Sequence, residues 1–190
     1  MNTTTHTRVG GDISAAYNLD TISALIETKD ILGAVLRVHF CLEEFLNIWC
    51  DKITHCDNFF DLGRGKFIMF DMKIAISKKL GIPTELAEVF TLFNRIRNKF
   101  AHQTNVSITD DELNNIRYAI DRIATYGSPI PKMDDLSWRG LFNNREIHWN
   151  MPNVSVIDKL LVIYFTFSMK AISVFNKELS DRGIPFTFSD

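Results

Sequence analysis

The chain has 190 residues, with 21 Lys+Arg against 23 Asp+Glu and a formal net charge of −2. With 46% hydrophobic and 23% charged residues it has the make-up of a folded globular protein, which excludes a disordered tail or linker. Nine Gly and five Pro are too few for an all-β chain of many tight turns, so the expected class is all-α: one helical bundle of about five main helices.

Residues 1–12 are polar and read as a flexible arm, leaving 13–190 as a single helical domain. They hold no apolar run of the kind that leads secreted chains, so the expectation is a cytoplasmic protein. Cys41, Cys50 and Cys56 cannot all pair within one chain and are expected as reduced thiols. From Asp20 to about Thr54 apolar residues recur at helical spacing. Ile31, Val35, Val38, Leu42, Phe45, Leu46 and Trp49 share one sector and predict a core face. Phe40 and Ile48 fall on the opposite face beside Arg37 and Glu44, where they mark either a subunit contact or a surface covered by a later segment.

A loop over 57–65 contains Gly63-Arg64-Gly65-Lys66. A helix is predicted over 67–80, stopped by Gly81 and Pro83. Thr84 opens a third helix with Leu86, Val89, Phe93, Ile96 and Phe100 on one side, running into Arg97-Asn98-Lys99-Phe100-Ala101-His102. Thr109 and Glu112 have capping-box spacing, and a fourth helix to about Tyr126 carries Leu113, Ile116, Ile120 and Ile123. Pro129, Pro131, Gly140 and Pro152 interrupt 127–152, while Trp138, Leu141, Phe142 and Trp149 are too apolar for a free linker. That segment reads as a packed, irregular insertion. The last helix, about 154–179, is apolar nearly all round, as a central helix should be. Its most apolar stretch is about ten residues and is flanked by Asp158, Lys159 and Lys170, well short of the roughly 20 a membrane span needs.

The charge balance hides an asymmetry. Residues 64–102 carry eight Lys/Arg (Arg64, Lys66, Lys73, Lys78, Lys79, Arg95, Arg97, Lys99) against three acids, net +5; the rest of the chain carries 13 against 20, net −7. A phosphate-rich partner would be drawn to such a surface; the alternative is a solvated face of scattered lysines. Within it lies the most informative segment, Arg97-Asn98-x-x-x-His102. Five residues of helix advance about 7.5 Å and turn about 140°, so Arg97 and His102 cannot face one way on a single regular helix. They converge only if the helix ends near Ala101 or a second protomer brings its own pair opposite. A guanidinium, an amide and an imidazole suit a phosphodiester better than an acyl group. RNA supplies its own nucleophile in the 2′-hydroxyl, an imidazole can move the protons, and a guanidinium can hold the phosphate, without a metal. The plain alternative pairs Arg97 with a core carboxylate and leaves His102 capping carbonyls at a helix end.

The pattern Arg97-Asn98-x(3)-His102, late in the third long helix of an α-helical domain, resembles the R-N-x(3)-H motif of the HEPN superfamily. The wider order is similar to its mannitol-operon-repressor (MltR) branch: the helix through Phe40-Cys-Leu-Glu-Glu-Phe-Leu, the helix with Phe70, Lys73 and Ala75 ending in Leu80-Gly81, the Arg97–His102 segment, then Thr109-Asp110-Asp111-Glu112. The resemblance covers about residues 25–125. It implies a homodimer whose two motifs line one cleft, and a metal-independent endoribonuclease acting as a toxin or in phage defence. Arg97 and His102 would be catalytic and Asn98 would position them, with no cofactor. Arg95, Lys99, Lys73, Lys78, Arg64 and Lys66 would face RNA. Other members are inactive binding modules, and the MltR name implies a regulator working through protein contacts; a third reading, a toxin controlled by an antitoxin, shares the ribonuclease chemistry and adds an obligate partner, and no membrane is expected. An occluded motif, with Arg97 paired to an acid and His102 buried, would favour the regulator. Nothing resembles a helix-turn-helix with a basic recognition helix.

Weaker groupings carry less. Gly63-Arg64-Gly65-Lys66 lacks the frame and the preceding strand of a phosphate loop. His39, Cys41, Cys50, His55 and Cys56 have the numbers but not the spacing of a zinc site. Glu43 and Glu44 are candidates for an acidic group near the cleft, although Glu44 is expected to pair with Arg37, and His148 sits in the irregular insertion.

Overall fold

A computed structural model describes residues 11–102, 106–139 and 146–187. The parts of the expected arm, insertion and motif-following loop at 1–10, 103–105 and 140–145 lie outside the described residues. Among the described residues the protein is an all-α bundle of six α-helices with one small antiparallel hairpin. The helices are α1 (Leu19–Glu27), α2 (Ile31–Thr54), α3 (Phe70–Lys79), α4 (Thr84–His102), α5 (Asp110–Asp121) and α6 (Val156–Asp181).

Local chemistry sets most of the helix ends. Asn18 caps α1 by accepting from the Thr21 N–H. Asp30 caps α2 through both carboxylate oxygens, on the N–H groups of Leu32 and Gly33, so the helical pattern expected from Asp20 to Thr54 is two helices broken at residues 28–30. The helix expected over 67–80 begins later, at Phe70, and Gly81 follows it at φ 80°. Thr109 and Glu112 form the capping box of α5, and Ser155 caps α6.

The core lies between α2 and α6, closed by α4 and α5. Of the predicted α2 stripe, Val35, Val38, Leu42, Phe45, Leu46 and Trp49 are fully buried. Aromatic rings tie the layers together: Phe45 stands edge-on to Phe167, Phe167 to Phe90 of α4, and Trp49 lies 5.2 Å from Phe175. Helix α6 buries Leu160 through Ser168 without a break, as its pattern predicts. The insertion is packed. Strands β1 (Ser137–Arg139) and β2 (Glu146–His148) pair with Trp138 opposite Ile147, and the Trp138 ring sits 5.3 Å from Phe165 of α6. Among the described residues, no helix is long and apolar enough to cross a membrane.

Of the two apolar residues expected on the outer face of α2, only Phe40 is exposed, at 58%. Ile48 is buried; it shares clefts with Ala15 and with Ile184 and Pro185, where the two ends of the described chain meet. There Asp12 and Thr187 exchange backbone and side-chain hydrogen bonds, and Lys52 pairs with Asp12 at 2.6 Å.

Candidate functional site

The last turns of α4 place Asn94, Arg97 and Asn98 at positions i, i+3 and i+4, hence on one face. Opposite, α2 presents His39, Phe40 and Glu43, and the entry to α3 contributes Ile68, Met69, Phe70 and Asp71. These residues enclose an open cleft of about 230 Å³.

Arg97 is half-buried. Its Nη1 donates to the Asn98 side-chain oxygen at 3.0 Å, and its Nε is buried without a partner. No carboxylate lies within ion-pairing distance of its guanidinium among the described residues. Of the two acids in the lining, Glu43 and Asp71, Glu43 is held by Lys73, whose Nζ lies 2.8 Å from its Oε1 and also donates to Asn47 at 2.9 Å. His39 stacks at 4.4 Å against Phe70, with Nε2 3.8 Å from Glu43 and Nδ1 buried without a partner. Burial pushes its pKa down from 6.5 to about 4; Glu43 opposes that shift, while Arg97 and Lys73 add to it. His39 is therefore a neutral ring at physiological pH, which spares Arg97 a second cation beside it.

His102 is the last residue of α4 and is exposed. Because the helix runs regularly through it, it points about 140° away from Arg97 and does not line the same cleft. The basic residues sort into two groups. Arg64, Lys66, Lys78, Lys79 and Arg95 are exposed. Lys73 is buried in its contacts with Glu43 and Asn47, and Lys99 is half-buried, pairing with Glu112 at 2.9 Å and donating to the Ser107 carbonyl. Those two lysines, expected on the RNA-facing surface, are engaged within the fold. Lys99 ties the end of α4 to the capping box of α5. Burial pushes the Glu112 carboxyl up, but bonds from the Thr109 N–H, Lys99 and the Thr109 hydroxyl bring it below the usual range.

The remaining groupings separate in space. Gly63–Lys66 is a turn closed by a Lys66 N–H to Gly63 carbonyl bond and follows a helix rather than a strand. Among the described residues no cluster of His, Cys, Asp or Glu could hold a metal ion. Cys41 and Cys50 are buried free thiols with pKa values pushed by burial to about 11, and Cys56 is exposed and free. Glu44 accepts from Asn47, and no Arg37–Glu44 ion pair forms. His148 contacts Glu146 within the hairpin.

The sequence reading missed Asn94 as a cleft residue, although its spacing to Arg97 and Asn98 was available. It weighed His39 only as a metal ligand, because nothing local shows that α2 crosses the motif at that turn. The cleft offers a guanidinium with no carboxylate partner among the described residues, two amides, aromatic walls and two carboxylates, Glu43 and Asp71, and its lining holds no thiol or hydroxyl. An arginine without a carboxylate partner, flanked by amide donors, is a set of groups able to hold an oxyanion. No family model matches the chain, and no match is found among curated proteins or among solved structures.

Proposed function

We propose that the protein is a homodimeric, metal-independent endoribonuclease of the HEPN type, similar to the MltR branch, working in the cytoplasm as a toxin or in phage defence. The observation that carries this reading is the Arg97 guanidinium, half-buried in an open cleft and free of any carboxylate among the described residues. A structural arginine at that depth is normally paired; one left unpaired is ready for a phosphate. Neither sign of an occluded motif is met, since Arg97 has no acid and His102 is exposed.

In this reading Arg97 holds the scissile phosphate and stabilises charge developing on its oxygens, with Asn98 fixing the guanidinium through its 3.0 Å bond. The RNA 2′-oxygen attacks phosphorus as an imidazole takes its proton. The 5′-oxygen then leaves with a proton returned by an imidazole, giving a 2′,3′-cyclic phosphate and a 5′-hydroxyl. Since His102 points away from Arg97 of its own helix, the imidazole comes from the second protomer.

Incubation of the purified protein with a mixed labelled RNA pool in EDTA tests this. Wild type is expected to leave 5′-hydroxyl ends, while Arg97→Ala and His102→Ala each lose at least about a hundredfold in rate with unchanged circular dichroism. Absence of cleavage by a folded dimer, across structured and single-stranded RNA, overturns it in favour of the second reading, an MltR-like regulator acting through protein contacts. That alternative is favoured by the exposed Phe40 and Met69, which line the same cleft. An antitoxin or regulatory partner would dock there.

A further inference from the structure

The segment 61–67 leads directly into Ile68 and Met69, which line the Arg97 cleft. Gly63 and Gly65 take positive φ, 84° and 75°, a conformation that side chains with a Cβ disfavour. The turn is closed by bonds of its own: the Gly63 N–H donates to the Asp61 carboxylate at 2.8 Å and the Lys66 N–H to the Gly63 carbonyl at 3.2 Å.

Directly after the turn comes Phe67, 88% exposed, the most exposed large apolar side chain among the described residues. Arg64 and Lys66 precede it, both exposed and with no carboxylate partner among the described residues. Ile68, Met69 and Phe70 follow immediately and line the Arg97 cleft. The chain thus sets two cations without a carboxylate partner and a bare aromatic ring immediately before the residues that line the Arg97 cleft.

On its N-terminal side Phe67 is bordered by two glycines and two cations, in contrast to the exposed apolar Met69 and Met72 that follow it. Alternating cations and an exposed ring match single-stranded nucleic acid, whose phosphates and bases alternate in the same way. A protruding ring stacks on an unpaired base and finds no face to meet in a duplex.

We infer that Phe67 is a stacking platform for a base of single-stranded RNA, with Arg64 and Lys66 on neighbouring phosphates, so that the strand passes over this turn into the Arg97 cleft. The identity of the strand as RNA rests on the ribonuclease reading; the stacking itself does not require cleavage.

The test uses the full-length protein and a short, fluorescein-labelled, mixed-sequence 2′-O-methyl oligonucleotide, which cannot be cut. Phe67→Ala is expected to weaken binding about tenfold, with thermal stability unchanged because the ring packs on nothing. In the Phe67→Trp variant, the same oligonucleotide without its label should quench the new tryptophan, and its annealed duplex should not. Equal affinity of wild type and Phe67→Ala overturns the inference, as does a wild type that fails to bind. Loss of dimer in Phe67→Ala with oligonucleotide affinity unmoved also overturns it, and assigns the ring to a protein contact. The two proposals fail separately: binding that depends on Phe67 without any RNA cleavage removes the nuclease and keeps the platform. Cleavage that depends on Arg97 but not on Phe67 does the reverse.

Discussion

His39 shows how one buried side chain couples stability to pH. It is 3% exposed and faces Glu43 on its own helix, Arg97 of α4 and Lys73 of α3. Its folded pKa of about 4 lies below the ordinary 6.5, so between those values the unfolded chain takes up a proton that the folded chain refuses. The sign follows: stability is complete above about pH 6.5 and declines as the pH falls toward 4, by about 3 kcal/mol in all. Urea denaturation of wild type and His39→Gln at neutral pH and near pH 4.5 reads this directly. The wild type should lose about 2–3 kcal/mol more than the variant across that interval. Parallel losses in the two proteins would show that His39 does not titrate with folding. Lys73 teaches a related lesson at the same spot. Its sequence neighbours mark it as part of a basic surface, yet its ammonium is occupied by Glu43 and Asn47 and lies 4.9 Å from the Phe60 ring.

Among the elements, the break between α1 and α2 depends on one residue. Removing the Asp30 carboxylate leaves two N–H groups of α2 without their acceptor, so Asp30→Ala should cost about 1–2 kcal/mol, seen as a lower Tm with unchanged helical content at low temperature. A Tm equal to wild type would mean that packing alone holds the α2 start. Features of this kind were legible when the signal was local. The Thr109/Glu112 box, the Gly81 stop and the nearly all-round apolar pattern of α6 can each be read within one stretch of chain. What escaped depends on partners far away in sequence. Helix α5 was expected to reach Tyr126 and stops at Asp121. Lys170 of α6 donates to the Ile120 carbonyl, and Ser173 bonds both backbone groups of Tyr126, so α6 takes over the bonds that a longer α5 would have made. The candidate site divides in the same way. Arg97 and Asn98 are visible in their own segment, whereas the wall of His39 and Glu43 exists only because α2 packs across α4.

For the whole molecule, the regular course of α4 through His102 has a stoichiometric consequence. If each working site joins Arg97 of one protomer to His102 of the other, Arg97→Ala and His102→Ala homodimers are both dead, but their mixed dimer carries one intact site of two. After unfolding and refolding together in equal amounts, the mixture should recover about a quarter of wild-type cleavage under random pairing. No recovery would place both groups of each site in one protomer. Phe40→Glu, which charges an exposed apolar residue on the lip of the cleft, should abolish the dimer and cleavage together in a sedimentation and activity comparison.

The clasp between Asp12 and Thr187 bears on how the chain can be rewired. Two positions 175 residues apart in sequence are hydrogen-bonded neighbours, well apart in the sequence from the helix ends that build the cleft. A short glycine-rich bridge between them would close the described chain into a ring with almost no loop entropy to overcome. The ring could then be opened at the exposed bend around Gly127 to give a permuted protein with the same bundle, its new ends between α5 and the hairpin.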